Sequence, residues 1–542
     1  MTTKPRRKLR IGLLQDSVYA NRYLHDLVTW AAKQEDLEIR HLFVHGAPEE
    51  ARVGTAGKVL LRGIRLLEQP LLRLYQGSRS REHTKQLRID PLMEQTLHLR
   101  PFQSSSGYQW PAEEAARVRS MGCDVLILSG GAVPEGEILE AAPFGILSLR
   151  YGDTGVSQGD PAAFWECYLG RPATGFVIQR LTTQGREVLL RGSYETKWFY
   201  LLNQAALFSK SNVHLKDLLK KIARERRLPP AEPPLSRSAE LASPPSGGRC
   251  LHYLARLVGR SVRKGLLDFL RLRSRWSVSF SFTDWSRTVL SQATTTPPPP
   301  GRFLADPFVW QHQGKTYCLV EDYSYRNRIA RISALEVGRE GATAPVTVLA
   351  EPFHLSFPYL FQLDGTTYMC PESSASGQIR LYRSVEFPYR WEFVKAIMTG
   401  VSAYDSMLFQ HGDRWWMLTN LDRSGDGGFA TELYLYWADS PLSESWQPHP
   451  SNPLKIDALG GRNAGLLRDG ERLFRAGQVH GFDRYGVAIR LYEIDSLSPE
   501  HYAEHLVAEI QPDFQDGIQR IHHMSSSHGV TAVDVARREF VW

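Results

Sequence analysis

The sequence predicts two unlike domains in one chain, an α/β domain built on an open parallel sheet and an all-β five-bladed propeller. Three observations indicate this. The 542 residues exceed what one hydrophobic core usually holds. Apolar runs in the first part alternate with segments of helical spacing. From Trp276 onward, aromatic and β-branched runs repeat with a period of about 50 residues. The predicted parts are an α/β domain at 1–225, a linker with a basic helix at 226–275 and the propeller at 276–542.

The composition is that of a folded protein without membrane-spanning helices. Apolar residues make up 42% and aromatic residues 11%, and no stretch approaches the ~20 apolar residues that a span requires. The five cysteines are scattered and form no CxxC pair, which argues against a disulfide framework and a structural zinc site. No metal site is predicted. The first apolar run resembles a strand more than a secretory signal, so we expect a cytoplasmic location, or a peripheral one at the inner membrane face.

Strands and helices alternate through the first domain. Strands are predicted at 8–16, 37–46, 123–131 and 145–153, and helices at 21–34, 112–121, 134–143 and 204–225. Ligands of open parallel sheets bind beyond the carboxyl ends of the strands. The loops at 129–134 and 151–160 therefore lie where a ligand is expected.

Two segments are both basic and amphipathic. Residues 249–275 carry eight basic residues against a single acid, Asp268, and residues 57–81 have a similar character. Such a helix can lie on an anionic membrane surface, or its apolar face can pack against its own domain. Nucleic acid is not expected as a partner, because the basic residues gather in these two segments.

The second domain shows a repeat. Turn glycines recur at Gly314, Gly365, Gly412 and Gly470, each between an apolar strand and an aromatic strand. The spacing fits one four-stranded propeller blade of about 50 residues. Residues 518–535 form a degenerate fifth copy, so five blades are predicted.

In a propeller the innermost strands surround one pocket, and several acids of this sequence are predicted to meet there. Carboxylates and amides bind sugar hydroxyls, and two carboxyl groups with separated pKa values can cleave a glycosidic bond. The alternative is that these aspartates only cap turns. The expected inner-strand residues are Asp306, Pro358, Asp405, Asn463 and His522 or His523, and the second strands add Glu321, Asp322 and Glu372.

The motif RFLADPF, which contains Asp306, resembles the first-blade motif of five-bladed propeller glycosidases. That resemblance implies that Asp306 is a catalytic base or nucleophile. The wider series ADPF, VED, PESS, YRSVEFP and RNAG, over about 300–500, resembles the propeller of the plant glucosamine inositolphosphorylceramide transferases. It implies a glycan or glycolipid partner. Glu372 is then the candidate acid and Asp405 its orienting partner. Glu321, Asp322, Asn463 and His523 are expected to contact substrate.

The first domain resembles the formyltransferases over about 120–195. The matching segments are DVLILSGG, PEGEILEAAPFGILSLRYGD, GDPAAFW and TGFVIQRLTTQGREVLLRG. The resemblance implies transfer of a formyl group from 10-formyltetrahydrofolate to an amine, such as that of a sugar nucleotide. It also implies a cofactor site formed by Ser129, Gly130 and Gly152.

This sequence departs from the family at its catalytic positions. Ser148 replaces an asparagine and Arg150 replaces a histidine, while Gln184 is the residue nearest the family's aspartate. Arginine stays protonated and cannot act as a base at neutral pH. A rearranged site would use Ser148, Tyr151 and Asp153, with Arg150 binding substrate and Glu187 as a further candidate.

Three functions remain open at this point. The first is an amino-sugar N-formyl or acyl transferase of bacterial-type polysaccharide or glycolipid biosynthesis, whose propeller holds the glycan. The second is a propeller glycosidase or transglycosylase. The third is a glycan-binding adaptor with a degenerate first domain, which would bind a ligand without reaction or serve as a scaffold.

Overall fold

The computed structural model describes residues 7–46, 55–76, 83, 85–103, 108–129, 134–152, 161–232 and 245–540. Gly130 and Asp153, both predicted site residues, lie outside these ranges. The chain forms two compact units, Met1–Leu257 and Val258–Trp542. The boundary between the units falls within one helix, Gly247–Phe269.

The N-terminal unit contains a seven-stranded sheet among its described residues, in the order β12-β11-β10-β8-β1-β3-β5. The buried apolar runs predicted as strands form its centre, as in Leu9, Ile11 and Leu13, which are fully buried. The strands of this unit are β1 (Leu9–Gln15), β2 (Tyr19–Asn21), β3 (Leu37–Val44), β4 (Gln86–Arg88), β5 (Gln95–His98), β6 (Phe102–Gln103), β7 (Tyr108–Gln109), β8 (Val125–Leu128), β9 (Pro134–Glu135), β10 (Ile146–Tyr151), β11 (Ala173–Thr182) and β12 (Gly185–Glu195).

Helices pack against this sheet. Their amphipathic spacing agrees with the predicted segments, and the predicted helix at 204–225 is confirmed with an earlier start. The helices are α1 (Arg22–Ala31), α2 (Thr55–Gln76), α3 (Ala112–Ser120), α4 (Phe164–Leu169), α5 (Tyr200–Glu225) and α6 (Gly247–Phe269).

The N-terminal unit departs from the prediction in two ways. Its sheet is mixed, because β11 runs antiparallel to both of its neighbours, β10 and β12. The helix predicted at 134–143 is wrong: the segment forms β9 and a short 3-10 turn at Gly136–Glu140. Only Ile138 and Leu139 of that turn are buried, which is too short an apolar stripe to hold an amphipathic helix.

The strand order reverses at β1. From β1 the sheet continues to β3 and β5 on one side and to β8 and β10 on the other, all in parallel. The strand that follows β1 in this sheet, β3, and the strand that follows β8, β10, thus lie on opposite sides, an arrangement that in open α/β sheets places a crevice at the carboxyl ends.

The C-terminal unit is a five-bladed propeller, which confirms the predicted blade count; residues 272–540 are all described. The chain enters through β13 (Leu272–Ser281) and β14 (Thr294–Thr296) and then builds four blades in order. These blades are β15 (Arg302–His312), β16 (Lys315–Ser324), β17 (Ile329–Gly338), β18 (Gly341–Ala342) and β19 (Val346–Leu349); β20 (Ser356–Leu363), β21 (Thr366–Glu372), β22 (Gln378–Glu386) and β23 (Arg390–Thr399); β24 (Ala403–His411), β25 (Arg414–Leu421), β26 (Glu432–Ala438), β27 (Gln447–Pro448) and β28 (Lys455–Ile456); and β29 (Leu459–Asp469), β30 (Arg472–Gly481), β31 (Arg484–Leu497) and β32 (Tyr502–Ile510).

The fifth blade closes the ring. It combines the last two strands, β33 (Ile518–Ser527) and β34 (Val530–Phe540), with β13 and β14 from the start of the unit. β13 pairs with β34 along its whole length, from Leu272 to Ser281. The ends of the propeller sequence are thus held together, and the fifth copy looks degenerate in sequence because half of its strands come from elsewhere.

A bulge interrupts the inner strand of each of the first three blades at the same place. Asp306, Phe357 and Asp405 occupy it, each with a positive φ of 44° to 49°. A left-handed residue that is not glycine is costly, and here the surrounding ladder holds it. The prediction that Pro358 occupies this position in the second blade is therefore wrong by one residue, because Phe357 is the counterpart of Asp306.

Candidate functional site

The inner strands of the propeller surround a polar pocket of about 260 Å³. The bulges turn side chains of the inner strands toward it, and the ends of the second strands add more. Its walls are formed by Trp276, Phe303, Ala305, Asp306, Glu321, His354, Ser356, Glu372, Tyr404, Arg462, Tyr485 and His522.

Asp306 is held as an ionised carboxylate. Its Oδ2 accepts a hydrogen bond from the Phe357 N–H at 3.1 Å, and its Oδ1 lies 3.2 Å from His522 Nε2. Burial by itself would raise the pKa of Asp306, but His522, with smaller effects of His523 and Arg462, lowers it to about 2.

His522 is positioned by a second buried acid, Asp534. Its Nδ1 lies 3.0 Å from Asp534 Oδ2, and the N–H groups of His522 and His523 both donate to Asp534 Oδ1. Burial alone would lower the pKa of His522, but Asp534 and Asp306 together raise it to about 10. These three residues could also form a metal site by residue type and proximity. The geometry shown is that of an imidazolium bridging two carboxylates.

Glu372 is the second carboxyl group of the pocket, and it favours the protonated form. Burial raises its pKa to about 8, with the charge of Asp405 adding to the effect and Arg462 opposing it. Ser374 donates a hydrogen bond to its Oε1 at 2.9 Å. The pocket therefore contains one ionised carboxylate, Asp306, and one carboxyl group that holds a proton near neutral pH.

Arg462 links the acids of the second and third blades. Its Nε donates to Asp405 Oδ2 at 2.6 Å, its Nη2 donates to Glu372 Oε2 at 3.3 Å, and its Nη1 donates to the Phe429 carbonyl. The guanidinium also lies 5.2 Å from the ring centre of Tyr404 and 5.1 Å from that of Tyr485. Asp405 does not line the pocket but lies behind Arg462, from which it accepts a hydrogen bond.

Glu321 and His354 form a further ion pair at the wall of the pocket. Their Oε1 and Nε2 atoms are 3.2 Å apart. Burial raises the pKa of Glu321. For His354 burial would lower the pKa, but the ion pair with Glu321 raises it instead.

Three of the predicted binding residues do not reach the pocket. Asp322 is fully buried against Arg302 and accepts a hydrogen bond from Ser333 at 2.6 Å. Asn463 donates to the backbone carbonyls of Asp405 and Leu418. These two predictions are wrong because both side chains bind neighbouring strands of the propeller.

His523 is the third of these. It packs between the rings of Phe308 and Phe357 at centroid distances of 4.5 Å and 5.1 Å. Of the histidine pair, His522 lines the pocket and His523 does not.

The sequence interpretation missed several pocket residues. Arg462 lies inside the RNAG motif, next to Asn463, the only residue of that motif that the sequence pattern predicts for the pocket. His354 and Tyr485 lie outside the repeated motifs. Trp276 comes from β13, which the sequence does not associate with the last blade. It packs on His522 at a centroid distance of 4.2 Å.

The N-terminal unit has a pocket of its own, of about 590 Å³, at the carboxyl ends of β1, β8 and β10. Four predicted residues line it: Ser129, Ser148, Arg150 and Tyr151. Asp16, Arg65 and His83 add charged or titratable groups that had not been predicted. The pocket coincides with the reversal of the strand order, where ligands of such sheets bind.

Two side chains of this pocket are held in neutral forms. His83 lies 2.9 Å from the Tyr23 hydroxyl and 3.2 Å from Gln204 Oε1, and burial lowers its pKa to about 4. Tyr151 stacks on Phe208 at 4.3 Å, and burial raises the pKa of its phenol. At neutral pH these groups offer hydrogen bonds rather than charge.

The residues present do not fit formyl transfer from 10-formyltetrahydrofolate by the usual mechanism. Arg150 lines the pocket where the family has a histidine, and Gln184 lies exposed in the turn between β11 and β12. Glu187 pairs with Arg180 and does not line the pocket. Gly152 donates its N–H to the Gly175 carbonyl, a role in the sheet.

The fold and the site define a class: a five-bladed propeller with a buried acid–base pocket, in one chain with an α/β unit. Residues 279–535 match the family described as glucosamine inositolphosphorylceramide transferase 1, N-terminal. The protein of that name from Arabidopsis thaliana is 37% identical over 212 residues, which are 38% of this chain and 27% of the relative. The one from Oryza sativa subsp. japonica is 32% identical over 211 residues, 38% of this chain and 28% of the relative. The chain thus spans little more than a quarter of the length of these curated relatives.

Two solved structures align with separate parts of the chain. The catalytic domain of Coprinopsis cinerea GH62 α-L-arabinofuranosidase covers 50% of this chain and aligns over 97% of its own, at 12% identity and a TM-score of 0.34. Glycinamide ribonucleotide transformylase 1 from Symbiobacterium toebii covers 40% of this chain and aligns over 89% of its own, at 15% identity and a TM-score of 0.27.

Proposed function

We propose that this protein modifies a carbohydrate and that the propeller pocket carries the chemistry. The observation behind the proposal is the pairing of ionised Asp306 with protonated Glu372 in one buried pocket. Cleavage or transfer of a glycosidic bond needs such a pair. The match to relatives named for glucosamine and an inositolphosphorylceramide supports a glycan or glycolipid as the substrate.

In the proposed reaction Glu372 donates its proton to the glycosidic oxygen as the carbon–oxygen bond breaks. Asp306 accepts a proton from the incoming hydroxyl, which adds to the sugar carbon, or attacks that carbon itself. Arg462 orients Glu372 and Asp405 throughout. Water as the incoming group gives hydrolysis, and a second alcohol gives transfer. Trp276 also lines the pocket and offers a ring face on which the sugar can stack.

The test is turnover by the full chain. Aryl glycosides and glycolipids of several sugars are incubated with the protein, with and without an alcohol acceptor, and released sugar and transfer product are quantified. Turnover of one class supports the proposal. Sugar binding without turnover on any substrate would contradict it and leave a glycan-binding adaptor.

The pH dependence of that turnover follows from the two carboxyl groups. Glu372 must be protonated, and its pKa is raised to about 8, so kcat/KM is expected to fall with rising pH above about 8. Asp306 must be ionised and has a pKa of about 2, so the acidic limb lies far below neutral pH. Glu372→Gln should lower the rate and remove the alkaline limb. An unchanged alkaline limb in that variant would show that another group is the acid.

A second function is favoured by the pocket of the N-terminal unit. We propose that this pocket binds an anionic small molecule, a sugar nucleotide or a folate, with Arg65 and Arg150 as its charged contacts. The size of the pocket, about 590 Å³, and its position at the strand reversal support this. Formyl or acyl transfer to an amino sugar would need a base that Arg150 cannot provide.

Calorimetry with sugar nucleotides and folates is the direct measurement for this second proposal. Arg150→Met is expected to weaken binding by about tenfold or more, because a charged hydrogen bond is lost. Arg171→Met, at an exposed position outside the pocket, serves as the control. The absence of binding for both ligand classes would refute the proposal. Release of tetrahydrofolate from 10-formyltetrahydrofolate in the presence of an amino-sugar nucleotide would instead establish formyl transfer.

A further inference from the structure

Helix α6 carries an apolar stripe that is exposed in the described part of the chain. Val258, Val262 and Leu266 are 62%, 65% and 55% exposed, and Phe269 is 81% exposed. Leu251 begins the same row. At about 100° per residue, these side chains fall within an arc of about 80° on one face of the helix. The alternative that this helix packs an apolar face against its own domain therefore applies to another face of α6 and not to this stripe.

That other face anchors the first half of the helix. Cys250 and Tyr253 are buried in the core of the N-terminal unit, where the Tyr253 hydroxyl donates to Glu68 of α2. Glu68 also accepts the Leu201 N–H at 2.7 Å. The helix is thus held in place by one set of apolar residues while a second set faces outward.

Cations lie along one side of the exposed stripe. Helix α6 has five basic residues and one acid, Asp268. Arg256 and Arg263 are exposed and lie on the side of the helix next to the stripe. Long basic side chains can extend from the edge of an apolar stripe to lipid phosphates. Among the described residues no helix is long and apolar enough to span a bilayer.

Helix α2 repeats the arrangement. Val59, Leu66 and Leu67 are 60%, 70% and 65% exposed on one face, and Arg62 beside them is also exposed. Its opposite face buries Ile64 and Glu68. Two neighbouring helices of the chain therefore each present an outward apolar row next to basic residues.

We propose that the exposed stripe of α6, residues Leu251, Val258, Val262, Leu266 and Phe269, docks on an anionic lipid surface. The apolar row inserts at the level of the headgroups and the adjacent arginines bind lipid phosphates. Charge complementarity selects this occupant over an apolar protein surface, because five of the six charged side chains of α6 are positive. The proposal does not depend on chemistry in either pocket.

Vesicle flotation of the full chain tests the proposal. The protein is expected to float with vesicles that contain phosphatidylserine and to remain unbound with phosphatidylcholine alone at about 0.1 M salt. Val262→Glu with Leu266→Glu should reduce the bound fraction by about tenfold or more, because acids replace the inserting side chains. Arg256→Gln with Arg263→Gln should reduce it and weaken its salt dependence.

The matched control is Val346→Glu with Leu506→Glu, which places two acids at exposed apolar positions of the propeller. This variant is expected to float like the unmodified chain. Equal flotation of the stripe variant and the control would overturn the proposal. Failure of the unmodified chain to bind anionic vesicles would also overturn the proposal. In that case a concentration-dependent dimer that the stripe variant loses would show that the stripe binds a second copy of the chain instead.

Discussion

Replacement of Asp306 with asparagine is expected to lower turnover of a glycan by a factor of about 10² to 10⁴ while leaving binding largely intact. The amide has nearly the same shape as the carboxylate and can still accept the Phe357 N–H through its oxygen. It loses the charge and the basic oxygen. The expected result is therefore a fall in kcat with little change in KM.

The buried network behind Asp306 allows a second measurement on the same variant. His522 holds its high pKa partly through Asp306, so the imidazole should lose part of that shift in the variant. NMR of the histidine ring would report the change independently of turnover. Asp364→Asn, in an exposed turn of the second blade, is the control and should behave like the unmodified protein. Turnover that survives Asp306→Asn would exclude a catalytic role for this carboxylate.

Replacement of Arg462 with methionine is expected to lower the free energy of unfolding of the propeller by about 3 to 5 kcal/mol. The variant leaves Glu372 and Asp405 buried beside each other without the cation that separates them. Because Arg462 lowers the pKa of Glu372, its loss should also move the alkaline limb of turnover to higher pH. Urea unfolding followed by tryptophan fluorescence measures the first effect, and the pH profile measures the second.

Two further variants separate these effects. Arg462→Lys keeps a positive charge but loses the fork of donors, so it should be more stable than the methionine variant and show a smaller shift of the alkaline limb. Arg472→Met removes a surface pair with Glu493 and should have little effect on either measurement. If Arg462→Met were as stable as Arg472→Met, the buried ion network would not be holding the pocket together.

The propeller was predictable from sequence because its signals are local. Each blade repeats an apolar strand, a glycine turn and an aromatic strand, and the positive φ of Gly314, Gly365, Gly412 and Gly470 explains why those positions carry glycine. The acids of the pocket were found for the same reason. Asp306 and Glu372 lie at fixed places within the repeat, at a bulge and at a strand end.

The N-terminal unit was partly predictable. Buried apolar runs predicted its central strands, and the carboxyl-end rule placed a ligand at the loops that begin with Ser129 and Tyr151, both of which line the pocket. Ser148 was singled out by the resemblance to the formyltransferases. The antiparallel pairing of β11 and β12 was missed, because alternation of strands and helices says nothing about the direction of strands that follow a short connection. His83 was missed because it lies in a segment that the carboxyl-end rule does not include.

The sequence by itself determined the two kinds of domain, the number of blades and the two carboxyl groups proposed as catalytic. All of these follow from patterns between residues that are close along the chain. Only the tertiary structure decided which side chains surround those groups. Arg462 reaches Asp405 across 57 positions of the chain and Glu372 across 90, and β13 brings Trp276 to the last blade. The charge state of the pocket depends on burial and on these distant partners. No local pattern encodes contacts that form only when the ring closes.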